Sequence, residues 1–224
     1  MPDKIAIIGG TGDIGFALAS RWAVAGIEVV IGSRDQGRAE EAAQRLRGIV
    51  PEANVSGAEN AAAAAGSDVL LVAVPFSGLV PIYKSISEHI REDAIVIDST
   101  VPVEASLGGK ATHVFGVWEG SAAQLGLAFL PKGTKMCGAF HTLSASAVAD
   151  LSRSLQGDVL TCGSKAGKAV VRELVEVIPD LRYVDAGPLE NARIIEPITA
   201  LLIGINSRYG IHDAGIQITG LPES

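Results

Sequence analysis

Aromatic residues make up only 4% of the 224 residues, and cysteine and methionine occur twice each. With 48% hydrophobic residues and a mean hydropathy of +0.34, the core must be built from Val, Ile, Leu and Ala under close-packed helices. Cys137 and Cys162 have no paired spacing, which excludes a disulfide framework. They read as small core residues in a reducing, cytoplasmic compartment. No basic run occurs and the formal net charge is -7, which argues against a nucleic-acid partner or an anionic membrane surface. The most apolar stretch, Val69–Pro81, is too short to span a bilayer and is broken by Pro75, so no membrane segment is expected. The opening Met-Pro-Asp-Lys does not read as a signal peptide. His89, His113, His141 and His212 show no ligand spacing, and no metal site is expected.

What the chain does contain is a glycine turn at its start. Residues 4–15, Lys-Ile-Ala-Ile-Ile-Gly-Gly-Thr-Gly-Asp-Ile-Gly, read as an apolar strand, a tight turn and a helix start. Gly10, Gly12 and Gly15 match the GxGxxG dinucleotide fingerprint. In that pattern Gly10 permits the turn, Gly12 lets the backbone approach a pyrophosphate, and Gly15 lets the helix pack against the strand. The helix start presents free N–H groups and a positive dipole end to the phosphates.

Downstream, apolar strands alternate with helices. Strands are expected at Lys4–Ile8, Glu28–Ile31, Val55–Gly57, Val69–Val74, Ala94–Asp98 and Lys135–Ala139. Helices are expected at Ile14–Ala25, Asp35–Arg47, Ala58–Gly66, Gly78–Ile90 and Ser121–Leu130, with a loop over 99–118. This pattern predicts an α/β, doubly wound (Rossmann), mainly parallel sheet over residues 1–145. A small C-terminal α/β cap over 146–224 should follow. Its helices are expected at Ala147–Leu155, Ser164–Ile178 and Glu190–Arg208, the last interrupted by Pro197. Its strands are expected at Val159–Cys162 and Arg182–Asp185, with an edge strand in the tail Ile211–Ser224.

The second strand predicts which dinucleotide binds. An NAD site usually places Asp or Glu at that strand's tip, to hold the ribose 2′-OH. Here the strand ends Val30-Ile31-Gly32-Ser33-Arg34, with Arg38 one helical turn on. A hydroxyl and two guanidinium groups suit a 2′-phosphate, so NADP is expected. Two charge-assisted bonds of about 1.5–3 kcal/mol each would favour NADP over NAD by roughly a hundredfold or more. The strand end Val72-Ala73-Val74-Pro75 should lie on the ligand crevice, placing Ala73 to Phe76 over the middle of the dinucleotide.

Four segments together carry a more specific likeness: Gly9–Gly15, Gly32–Arg34, Phe140-His141-Thr142-Leu143-Ser144-Ala145, and Asp185-Ala186-Gly187-Pro188-Leu189-Glu190-Asn191-Ala192-Arg193. With them, essentially the whole chain resembles the reduced coenzyme F420:NADP oxidoreductases. Gly116–Ala123 and the ending Ile218–Pro222 resemble the actinobacterial members most. The resemblance implies hydride transfer between C4 of NADP(H) and C5 of the deazaflavin F420, a co-substrate. It implies NADP binding by Gly10, Thr11, Gly12, Asp13, Ile14, Gly15, Ser33, Arg34 and Arg38. It also implies that Ala73, Pro75, His141, Leu143 and Ala145 close over the nicotinamide and deazaflavin rings, His141 orienting the deazaflavin or balancing its charge. Some members carry Pro where this chain has Ser144. Asn191, Arg193 and Arg208 are alternatives for contacting the anionic deazaflavin side chain.

Such chemistry needs stacking, close approach and exclusion of water rather than a nucleophile. Two rivals differ from it. An NADP-dependent dehydrogenase or imine reductase acting on a small carbonyl or imine would need a proton donor, for which Lys165, Lys168 and Tyr183 are available. It would also need a large helical second domain, for which about eighty residues after 145 are too few. A non-catalytic NADP sensor would bind NADPH without turnover and gives the His-Thr-Leu-Ser-Ala segment no role. Finally, the apolar run Ile194–Ile205 predicts a helix buried in a homodimer interface.

Overall fold

The computed structural model describes residues 2–221; Pro222 and the last two residues of the tail lie outside them. The chain runs β1 (Lys4–Ile8), α1 (Asp13–Val24), β2 (Glu28–Ser33), α2 (Gln36–Ile49), β3 (Val55–Glu59), α3 (Asn60–Ala65), β4 (Val69–Val72), α4 (Leu79–Ile86) and β5 (Ile95–Asp98). It continues through α5 (Ala122–Leu127), β6 (Lys135–Gly138), α6 (Ala145–Ala149), β7 (Gly157–Gly163), α7 (Lys165–Glu176), β8 (Leu181–Asp185), α8 (Ala192–Ile195) and α9 (Ile198–Tyr209).

All eight strands form one sheet in the order β3-β2-β1-β4-β5-β6-β7-β8. From β3 to β6 neighbours are parallel; β7 runs antiparallel to β6, and β8 parallel to β7. This is the doubly wound, mainly parallel α/β architecture. The C-terminal stretch contributes two of its strands, so the expected boundary near 145 interrupts no sheet.

Alternation along the strands builds a core on each face. Ile5, Ile7, Leu71 and Ile97 point to one side, where they meet Leu18 and Trp22 of α1, Leu46 of α2 and Leu174 of α7. Ala6, Ile8, Leu70, Val72 and Val96 point to the other, against α3, α4, α5 and α8. Strand order reverses between β1 and β4. The crevice of a doubly wound sheet opens at such a switch point, beyond the carboxyl ends of the strands.

Three local expectations are corrected. The helix expected over Ala147–Leu155 shrinks to α6, because the buried guanidinium of Arg21 takes the carbonyls that would otherwise continue it. Its Nε donates to Val148 O at 2.9 Å, and one terminal nitrogen reaches the carbonyls of Ala147, Asp150 and Arg153. The tail forms no strand among the described residues. Instead Ile216 O accepts from Asp158 N at 2.7 Å, and Ile218 N donates to Asp158 Oδ2 at 2.6 Å. The loop over 99–118 holds a 3-10 turn at Glu104–Leu107 and a bridge between Val103 and Val114.

Candidate active site

The glycine turn sits on the switch point. Gly9 has φ +79, and an added Cβ there would lie 2.6 Å from Val74 Cγ1 and 2.7 Å from Ala73 O. The left-handed turn residue is therefore Gly9, one position before the Gly10 expected from the motif. Gly10 is required for a different reason. Its N–H donates to Ile7 O and Gly32 O at 3.0 and 2.9 Å, and a Cβ would stand 2.9 Å from Ile7 O. Gly15 lets α1 pack closely, since its Cβ would meet Gly10 Cα at 3.1 Å and Ala73 Cβ at 3.3 Å. Gly12 is the open one. The nearest atom to a Cβ there is Gly9 O at 3.4 Å, so its surface faces the crevice. It is also the N-cap of α1 and has no side-chain cap, which leaves the first N–H groups of the helix free for an anion.

A cavity of about 220 Å³ joins this turn to the tip of β2 and the end of β4. Thr11, Gly12, Ser33, Arg34, Arg38, Ala73 and Pro75 line it. Arg34 and Arg38 are exposed, and the Ser33 hydroxyl accepts from Asp35 N at 3.3 Å. Asp35 caps α2 through Arg38 N at 2.8 Å and so sets the direction in which Arg38 leaves the helix. Asn60, which sequence reasoning missed, lines the same cavity with its Oδ1 3.4 Å from Gly9 N. A dinucleotide with a phosphorylated ribose fits this lining: uncapped N–H groups, glycine surface and two unengaged guanidinium groups at one end.

A second cavity opens on the other side of the turn. Thr11, Gly12 and Asp13 line it together with Ser144, Ala145 and Phe16. A third, sharing Ser144 and Ala145, runs along Leu143 to Thr199 and Asn206 of α9. The cavities thus adjoin through shared lining residues, from the basic arm at one end to the 142–145 segment at the other. Ile14 lies outside this lining and packs on the core. The 142–145 segment is held firmly: Phe140 adopts φ +66 with its ring edge-on to Trp22 at 5.6 Å, and Thr199 Oγ1 donates to His141 O at 2.7 Å. Phe115 stacks on Phe76 at 6.0 Å, bringing the long loop beside Pro75.

His141 itself faces inward. It is 4% exposed, and neither ring nitrogen has a hydrogen-bond partner. Burial depresses its pKa to about 4, so the imidazole is neutral. A nitrogen of the ring and one oxygen each of Asp98 and Glu196 lie within 4.8 Å of one another. Asp98 accepts from Tyr83 Oη at 2.6 Å and from Thr100 N at 2.9 Å; Glu196 accepts from Ala122 N at 2.8 Å and Ala123 N at 3.0 Å. Burial raises Asp98 to about 7 against those hydrogen bonds, and burial with the neighbouring Asp98 raises Glu196 to about 8. These residues come from the end of β5, the β6–α6 link and the α8–α9 junction, so no linear motif could announce them.

The other candidates stand apart. Lys168 pairs with Asp185 at 2.7 and 2.8 Å, the ring of Tyr183 lies under the Arg172 guanidinium at 4.7 Å, Lys165 is exposed, and none of the three lines the crevice. Asn191 Nδ2 donates to Ala186 O at 2.6 Å, while Arg193 and Arg208 are exposed.

Fold and glycine turn together define the class of dinucleotide-binding oxidoreductases. The family model described as "NADP oxidoreductase coenzyme F420-dependent" matches residues 4–102. The F420-dependent NADP reductase of Methanothermobacter thermautotrophicus is 45% identical over 98% of this chain and 96% of its own; that of Methanocaldococcus jannaschii is 38% identical over 97% and 99%. The chain belongs to the family of F420-dependent NADP reductases. A crystal structure of a protein proposed to be such a reductase, from Arthrobacter sp. fb24, superposes with a TM-score of 0.80 at 23% identity, covering 98% of this chain and 100% of that one. A reductive aminase from Aspergillus terreus, solved with NADPH and ethyl levulinate, shares the fold at a TM-score of 0.60 and 17% identity. It covers 94% of this chain, but only 63% of the aminase is matched.

Proposed function

We infer that the protein transfers a hydride between NADP(H) and coenzyme F420. The observation that carries this reading is the sharing of Thr11 and Gly12, which line both the basic arm and the cavity of the 142–145 arm. In the proposed arrangement Ser33, Arg34 and Arg38 hold the 2′-phosphate, and the N–H groups of Thr11, Asp13 and Ile14 hold the pyrophosphate, that of Gly12 being bonded to Gly9 O. Ala73 and Pro75 support the nicotinamide, and Leu143 and Ala145 support the deazaflavin. When bound, the two cofactors supply the redox chemistry themselves. The protein's part is to fix their approach and keep water out. The neutral, buried His141 lines none of the three cavities and acts through the conformation and electrostatics of its segment.

The donors available to the carbonyl- or imine-reducing rival, Lys165, Lys168 and Tyr183, line none of the three cavities. Mixing the protein with NADPH and oxidised F420 should bleach the visible band of the deazaflavin, much faster than with NADH. Binding of NADPH without bleaching would exclude the reading and leave a small carbonyl or imine substrate, or a sensor.

A cytoplasmic homodimer is part of the proposal. Cys137 and Cys162 are free and buried, as suits a reducing compartment. Ile194, Leu201 and Tyr209 on α8 and α9 are 63, 62 and 72% exposed, a line of apolar groups suited to a second copy. A monomeric mass by light scattering at micromolar concentration would exclude the dimer. Among the described residues no helix is long and apolar enough to cross a membrane.

A further inference from the structure

The second cavity, of about 540 Å³, has one cationic group in its lining, the guanidinium of Arg45 on α2. The arrangement above gives that charge no role. It assigns the dinucleotide's phosphates to the first cavity and the turn, where Arg34, Arg38 and free N–H groups stand. The deazaflavin brings anions of its own, a phosphate and carboxylates on its side chain. Asn191, Arg193 and Arg208, which the sequence offers for them, line none of the three cavities.

Arg45 is held ready for an acceptor. Glu41 lies one helical turn before it, a spacing that suits an ion pair. Asp13 is the one acid in the cavity lining. Neither takes the guanidinium, and among the described residues no salt bridge to Arg45 occurs. Its Cζ lies instead 3.8 Å from the centroid of the Phe16 ring, which lines the same cavity from α1. Contact with a ring face fixes a guanidinium while leaving its N–H groups for acceptors. Those groups match phosphate and carboxylate oxygens two at a time. The other donors nearby are spent. Ser144 and Ser146 bond each other at 2.9 Å, and Ser144 Oγ donates to His212 O at 2.8 Å.

We propose that Arg45, braced by Phe16, binds the anionic side chain of the deazaflavin. The proposal rests on the hydride-transfer reading, in which the deazaflavin ring lies at Ala145. Ala145 lines the cavity that holds Arg45, so a side chain leaving the ring there enters a space with a cation in its wall. Arg45 touches no reacting atom. It therefore sets how tightly the co-substrate is held and not how fast the hydride moves. It also makes the site select a charged deazaflavin over the bare ring system.

Steady-state kinetics of the full chain with NADPH test this. Two acceptors are compared: F420, and a deazaflavin that keeps the ribityl chain but lacks the phosphate and glutamates. Arg45→Ala should raise KM for F420 by roughly three- to tenfold and leave kcat nearly constant. KM for the truncated deazaflavin and for NADPH should stay within about twofold. Arg45→Lys should recover part of the loss, and the effect should shrink at high salt. An unmoved KM for F420 in Arg45→Ala would overturn the proposal. So would an equal rise for the truncated deazaflavin. A rise for NADPH instead would give the guanidinium to the pyrophosphate and overturn it too. Failure of the unaltered chain to reduce either deazaflavin is a separate result, which overturns the hydride-transfer reading and this proposal with it.

Discussion

The indole N–H of Trp22 donates to the carbonyl of Leu174 at 2.9 Å, tying the first helix to α7 across 152 residues. Trp22 is fully buried and also holds the ring of Phe140, one residue before His141. Trp22→Phe keeps an aromatic ring but loses the donor and some volume, at a cost of about 2–3 kcal/mol. Calorimetry should show a melting temperature lowered by roughly 5–10 °C.

Arg34→Ala removes one charge-assisted partner of the proposed 2′-phosphate site. Affinity for NADPH should fall by roughly ten- to a hundredfold, while that for NADH stays nearly constant. Titration calorimetry with both nucleotides reads the difference directly. An unchanged NADPH-to-NADH ratio would remove Arg34 from the assignment.

Gly12 and Gly10 separate binding from folding. A methyl at Gly12 meets nothing nearer than 3.4 Å and points into the crevice, whereas one at Gly10 strikes Ile7 O at 2.9 Å. Gly12→Ala should therefore melt within about 1 °C of the parent yet bind NADPH at least tenfold more weakly. Gly10→Ala should be destabilised outright. Circular dichroism melts beside nucleotide titrations distinguish the two effects.

These contrasts show what was legible in the sequence. The alternation of apolar strands with helices, the Gly-Thr-Gly turn and the Ser33–Arg34–Arg38 arm are local patterns, and the structure places that turn and that arm on one cavity. Features made by distant partners were not legible. Arg21 ends α6 by taking its carbonyls, Asp158 draws in the tail, and Asp98 meets Glu196 only after the sheet has formed. The shift of the left-handed turn from Gly10 to Gly9 is local instead: the constraint at Gly10 is a contact with Ile7 of β1, and at Gly9 it is the backbone turn itself, which the spacing of the glycines alone does not distinguish.

Asp158 supplies a pH signature. Burial raises its pKa, but the two hydrogen bonds from Arg182 at 2.8 Å and the N–H of Ile218 outweigh burial, so the net shift is downward. A folded-state value below the unfolded one, near 3.9, means that the stabilisation is fully present above about pH 4. It is lost as the pH falls through the lowered folded value. Asp158→Asn should cost about 2–3 kcal/mol at pH 7, and its gap to the parent protein should narrow below pH 4. Denaturant titrations at pH 7 and pH 3 check both points.

The central claim, direct passage of a hydride from one bound cofactor to the other, is tested most directly by isotope transfer. NADPH carrying deuterium at both C4 positions is mixed with oxidised F420 and the protein in ordinary water, and the reduced deazaflavin is weighed by mass spectrometry. One deuterium per reduced molecule is the result expected from adjoining arms of a single water-excluding crevice. A reduced deazaflavin free of deuterium would contradict the account.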